Sequence, residues 1–204
     1  YFTEQIAAAG LIGIGFTNAS PVVAPPGGSK AVIGTNPIAM TVPGPRGPQM
    51  HFDFSTSAVA LGKITMAKAA GEAIPLGWAV DSAGQPTTDP DAALKGALVS
   101  AGGYKGWGFG LMAEVMAACL TGSVNSLDIR GLKLPDGPPH GLGQFYILID
   151  PGTHTDAFAA RFARIAEAVA AQDGARIPGA DRREMTVIDV PDALWAQVLG
   201  LARG

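Results

Sequence analysis

Four glycines and one lysine occupy Gly102-Gly103-Tyr104-Lys105-Gly106-Trp107-Gly108, which runs straight into the apolar stretch Phe109 to Leu120. Glycine lets a backbone approach a ligand closely and adopt positive φ. The first amides of a helix offer unpaired N–H donors at the positive end of its dipole. A lysine at the same place adds a point charge, so the segment holds the parts of a phosphate or carboxylate site. The same residues equally suit a tight turn before a buried helix, with Lys105 in solvent. A second cationic loop, Gly174-Ala175-Arg176-Ile177-Pro178-Gly179 followed by Asp181-Arg182-Arg183, suits a phosphate or an adenine edge, or simply a solvated charged loop. The three histidines, His51, His140 and His154, are too dispersed for metal-ligand spacing, and the single cysteine, Cys119, adds no cluster. No metal is expected. Of the three, His140 is the candidate with reach toward a substrate, and the other two suit solvated or locally bonded roles. Cys119 lies among Ala and Leu and is expected as a small buried hydrophobe. Neither a G-x-S-x-G elbow nor a P-loop occurs.

The chain has 204 residues, 48% hydrophobic and 15% charged, with 28 glycines and 16 prolines. That composition folds, buries much of itself and turns often. A net charge of −3 and a pI near 5.5 argue against nucleic acid or an anionic membrane as the main partner. One cysteine excludes an internal disulfide framework and fits a reducing compartment. With no apolar run of membrane-spanning length and no signal peptide, the cytoplasm is the expected location. An excess of apolar over charged residues suggests surface buried beyond one small core.

The elements that must position these residues follow from periodicity and punctuation. A helix is expected through about Gly10, then a buried strand over Leu11–Thr17. Pro21 to Ser29 is a loop, and Ala31 to Val42 holds a short extended stretch with the turn Gly34-Thr35-Asn36-Pro37, where proline biases Asn36 away from helix. Met50–Phe54 reads as a strand, Ser57–Ala70 as a helix, and Ser82–Pro86 as a turn. Asp89–Leu94 suits a helix start with Pro90 in its first turn. Gly108–Leu120 is expected as a buried helix, Ser123–Gly143 as the longest loop, and Phe145–Asp150 as the clearest strand. An amphipathic helix spans Ala157–Gln172, a last strand Met185–Val190, and a final helix Pro191–Ala202. Interleaved strands and helices give an α/β or α+β class. Gly13-Ile14-Gly15 lacks the third glycine of the usual dinucleotide fingerprint, and a proline-glycine loop follows it in place of a helix.

Taken in order, several segments resemble the malate/L-lactate dehydrogenase-like family of NAD(P)-dependent oxidoreductases, which includes sulfolactate and ureidoglycolate dehydrogenases and cyclic imino acid reductases. They are Pro25–Lys30, the Gly34-Thr35-Asn36-Pro37 turn, Asp53-Phe54-Ser55-Thr56-Ser57 with Gly62-Lys63, Ile74–Asp81, Pro86–Pro90 and the lysine turn. The resemblance covers about Leu11 to Arg182. It implies a non-Rossmann nucleotide-binding domain over residues 1–204, a mostly antiparallel sheet flanked by helices, with NAD or NADP as cofactor. It also implies a small-molecule substrate, either a 2-oxo or 2-hydroxy acid or a cyclic imino acid, and a homodimer. Family members carry an upstream helical domain with the catalytic histidine, so the catalytic residue is expected ahead of Tyr1. By resemblance Thr35 and Gly62 contact substrate, and Asp53, Phe54, Ser55, Tyr104, Lys105, Arg176, Ile177, Pro178 and Gly179 contact cofactor. Asp53 and Ser55 read independently as strand-end groups able to bond ribose or a carboxamide, or to cap the following helix. Leu61 and Lys63 depart from the His-Gly-Asp of the imino acid reductases, and Ala180 intrudes in the family's R-[LVI]-PG-[ED] run. The alternative reading is a non-catalytic nucleotide-binding module.

Overall fold

The computed structural model describes residues 1–45, 47–130, 139–180 and 187–202. In chain order the elements are α1 (Phe2–Ala8), β1 (Ile12–Thr17), β2 (Ile38–Val42), β3 (Met50–Phe54), α2 (Leu61–Ala70), β4 (Ala79–Val80), β5 (Pro86–Thr87), α3 (Pro90–Lys95), β6 (Ala97–Leu98), α4 (Tyr104–Glu114), β7 (Gln144–Ile149), α5 (Phe158–Ala170) and α6 (Asp192–Leu201). β1 sits centrally in an antiparallel four-stranded sheet of order β3-β2-β1-β7, and β5-β4-β6 form a second small antiparallel sheet.

Alternation along β1 gives its two faces different partners. Gly13 and Gly15 lie under α1: a Cβ at 13 would touch Ile6 at 3.0 Å and one at 15 would touch the Tyr146 ring at 3.0 Å and Thr3 at 3.3 Å. The paired glycines therefore let a helix lie flat on the sheet, a packing role. Phe16 points the other way and packs with Ile38, Ala113 and Ala117, with Ile14, Phe52 and Phe145 around them. Small residues on that side let α4 and the π turn after it, Val115–Cys119, approach the sheet closely. A second core of Val23, Ile33, Val59, Ile64, Ile74, Ala79, Ala93 and Leu98 fills the space between α2, α3 and the small sheet.

Several boundaries differ from the expectation. α2 begins at Leu61 because Ser57 bridges to Ser100 and the Ala58 amide bonds the Val99 carbonyl, holding that stretch extended. α4 begins at Tyr104, so Lys105 sits inside the first turn of the helix. Cys119 is exposed, because the π turn carries it to the outer face of the helix. Residues 187–190 form no strand, and 185–186, like Asp181-Arg182-Arg183, lie outside the described residues. α3 starts as expected, with the Asp89 carboxylate accepting the Asp91 amide at 2.9 Å and proline in the first turn.

Candidate functional site

The Gly34-Thr35-Asn36-Pro37 turn has a separate physical reason at each position. A Cβ on Gly34 would collide with the Ala19 carbonyl. The Thr35 carbonyl accepts the Thr56 amide at 2.9 Å and the Thr56 hydroxyl at 3.1 Å. Asn36 has no exposed surface and takes φ +32°, a conformation that asparagine tolerates better than most residues. Pro37 closes the turn, its carbonyl accepting the Thr17 amide at 3.2 Å.

Thr56 is the junction. Its amide goes to Thr35, and its carbonyl accepts the Ala101 amide at 2.9 Å, one residue before Gly102. Gly102 and Gly103 then take φ +64° and +65°, and a Cβ on either would meet open space. Only glycine enters Gly103's conformation readily, with ψ −128°. Three segments distant in sequence are thus joined by consecutive backbone hydrogen bonds: the proline turn with Thr35, the end of β3 with Asp53, Phe54 and Ser55, and the glycine turn with Tyr104 and Lys105.

At the foot of α4 the amides of Tyr104, Lys105 and Gly106 have no intrahelical acceptor, and the Tyr104 and Lys105 side chains are exposed. A hollow of about 200 Å³ opens beside Gly103, walled by Ser100, Gly84 and the Pro25–Gly28 loop. These groups fit an anion: open glycine backbone, free amides at a helix start and a cation. Gly106 does not share this role. It lies within the helix, buried, and a Cβ there would collide with the Ala101 carbonyl. Its constraint is the molecule's own turn, and positive φ is confined to 102 and 103 in this stretch.

β3 distributes its candidates over both faces of the sheet. Phe52 packs into the core beneath α4 and stacks on Phe54 at 4.7 Å, while Phe54 stays 53% exposed. His51 and Asp53 face α1. Asp53 lines a hollow of about 210 Å³ with Thr17, Gln144, Tyr146 and the start of α1. The Tyr146 hydroxyl donates to Gln144 at 2.7 Å, and burial, then the Asp53 charge, push its phenol above the ordinary tyrosine value. Along the outer edge of β3 runs the second cationic loop: the His51 amide donates to the Pro178 carbonyl at 2.9 Å, and a Cβ on Gly179 (φ +82°) would press on the His51 carbonyl at 2.8 Å. The Arg176–Gly179 loop is therefore held against His51, on the strand that also carries Asp53 and Phe54.

Gly62 lies in the first turn of α2, exposed, with open space where a Cβ would be. His140 is half-buried and His154 exposed. Among the described residues no group of three His, Cys, Asp or Glu is placed to hold a metal, and no helix is long and apolar enough to cross a membrane.

Sequence reasoning missed Asn36, Glu114 and Ser126, which form a buried cluster beneath the proline turn. Its one visible signal was an acidic residue in the otherwise apolar run Leu111-Met112-Ala113-Glu114-Val115-Met116.

The comparisons agree with this architecture. A family model described as malate/L-lactate dehydrogenase matches residues 1–198. The chain is 40% identical over 182 residues to a (2R)-3-sulfolactate dehydrogenase (NADP(+)) of Chromohalobacter salexigens, covering 89% of this chain and 55% of that protein. It is 41% identical over 211 residues to a Δ1-pyrroline-2-carboxylate/Δ1-piperideine-2-carboxylate reductase of Pseudomonas aeruginosa, covering 97% and 62%. Among solved structures, a Δ1-piperideine-2-carboxylate reductase from Pseudomonas syringae superposes with a TM-score of 0.85 at 33% identity, over 98% of this chain and 62% of that one. The chain thus spans between about half and two thirds of the length of these relatives. On the family match and on these identities, the chain belongs to the malate/L-lactate dehydrogenase family.

Proposed function

We propose that residues 1–204 are the nucleotide-binding part of an NAD(P)-dependent oxidoreductase. Its substrate is a small 2-oxo or 2-hydroxy acid or a cyclic imino acid, and its catalytic histidine is supplied upstream. The observation that carries the reading is the Thr35–Thr56–Ala101 junction, which gathers the proline turn, the end of β3 and the glycine turn into one place. When bound, a nicotinamide cofactor supplies hydride chemistry. In this reading the chain's own residues orient both reactants. Lys105 and the first amides of α4 hold a phosphate. Tyr104, Asp53, Phe54, Ser55 and the Arg176–Gly179 loop contact the rest of the cofactor along β3, and Thr35 and Gly62 meet the substrate. The two named relatives act on acids of both kinds, which is why both stand here.

The enzyme is further proposed to be a cytoplasmic homodimer. Its one cysteine fits a reducing compartment. The described fold also leaves much apolar surface to cover. Phe109, Leu111 and Val115 on and just after α4, and Leu194, Trp195 and Leu201 on α6, are all exposed.

Full-length protein should oxidise NADPH or NADH in the presence of pyruvate, oxaloacetate or Δ1-pyrroline-2-carboxylate. Inactivity across a broad panel of such acids, with no cofactor binding, would remove the proposal. Cofactor binding without turnover on any acid would favour a non-catalytic nucleotide-binding module.

A further inference from the structure

We propose that Glu114 is a positioning residue, which through Asn36 holds the proline turn in the shape that presents Thr35 to the substrate; the inference rests on the role given to Thr35 above. Glu114 is 7% exposed in a helix face that is otherwise apolar, where a carboxylate is costly unless every donor around it is used. One carboxylate oxygen accepts the Ser126 amide at 2.7 Å; the other accepts the Asn36 side-chain amide at 2.8 Å and the Ser126 hydroxyl. Asn36 spends its remaining capacity on the same elements, donating to the Gly110 carbonyl at 3.1 Å and accepting the Ala19 amide at 3.1 Å.

The result is a closed circuit. Glu114 binds Asn36; the next residue back, Thr35, accepts from Thr56; Thr56 accepts from Ala101; and Ala101 leads through the glycine turn into α4, whose last residue is Glu114. The helix is fastened to the proline turn at both of its ends. A π turn follows at once, closed by the Leu120 amide on the Val115 carbonyl at 2.8 Å. This geometry is rare and recurs at functional sites. Three donors on two oxygens also explain why the residue is an acid: an amide side chain keeps one acceptor oxygen and turns a donor against the Asn36 or Ser126 donors.

The test uses full-length protein carrying Glu114→Gln, which preserves volume, or Asn36→Gly, which preserves access to positive φ while deleting the side chain. Amide exchange at Thr56 and Ala101 should speed up roughly tenfold or more, as for a lost buried hydrogen bond, while β1 and β7 amides keep their protection. KM for the acid substrate should rise roughly tenfold, with cofactor affinity changed less than about threefold. The double variant should be no worse than the more damaging single one, because both break one circuit. If Glu114→Gln does not fold, Asn36→Gly carries the same expectations. Uniformly faster exchange, or unchanged KM with local loosening, would overturn the proposal and leave Glu114 as core packing. Wild-type inactivity on every acid would defeat the functional reading instead. The exchange pattern would still decide whether Glu114 clamps the turn, and unchanged protection at Thr56 would refute it.

Discussion

The His51 amide donates to the Pro178 carbonyl at 2.9 Å, and this bond lays the Arg176–Gly179 loop along the free edge of β3. The edge strand is thereby covered by the chain's own backbone. Two segments more than a hundred residues apart in sequence become neighbours, one carrying Asp53 and Phe54 and the other Arg176.

Gly179 is the position where that contact is most vulnerable. It has φ +82°, and a Cβ would sit 2.8 Å from the His51 carbonyl oxygen. Gly179→Ala should therefore destabilise the loop by about 1–2 kcal/mol from strain alone. Cofactor affinity in the full-length enzyme should weaken along with it. Titration calorimetry and a thermal melt on the same variant check both; an unaltered melt with unaltered affinity would mean that the loop can reseat freely.

Gly106→Val separates the helix from its turn. Its Cβ has to displace the Ala101 carbonyl, and the amide of the same residue anchors the turn by donating to the Thr56 carbonyl. Overpacking against backbone costs typically 1–3 kcal/mol or more, so the variant should lose stability first and cofactor affinity only as a consequence. Denaturant unfolding gives the size of the loss.

Tyr146 should titrate late. Burial is the larger cause of its raised value and the Asp53 charge the smaller. Asp53→Asn should bring the phenol down only part of the way, as followed by a pH titration of the Tyr146 ring signals. The sign for stability follows from the raised folded value. The contribution is fully present below the unfolded tyrosine value of about 10 and is lost as pH climbs through the higher folded one. A phenol that returns wholly to the ordinary value in Asp53→Asn would show the charge, and not burial, to dominate.

Much of this arrangement is legible in the chain itself. β3 was readable from Met50 to Phe54 because β-formers flanked by loop residues leave few alternatives, and the interleaving of strands with helices gave the class. Resemblance, not periodicity, gave the antiparallel order. Boundaries failed where tertiary contact outweighed local preference: Ser57 to Ala60 suits a helix start, yet pairing with residues 99–100 holds it extended. Gly13 and Gly15 lack the third glycine of a dinucleotide fingerprint, but their packing role is not legible, because nothing in the sequence shows that α1 folds back onto them. Glu114 was passed over for a similar reason. Its partners, Asn36 and Ser126, lie 78 and 12 residues away, and only the fold makes them a cluster.

The glycine turn at the foot of α4 is proposed to hold a nicotinamide dinucleotide. The most direct measurement is the NADPH and NADH affinity of full-length wild-type protein and of Lys105→Ala. Lys105 is exposed, so its removal should leave the thermal melt unchanged. Losing one charge-assisted contact should cost about 1.5–3 kcal/mol, a fall in affinity of roughly 10- to 100-fold. Unchanged affinity in a well-folded Lys105→Ala enzyme would contradict the claim and return the turn to a purely structural role.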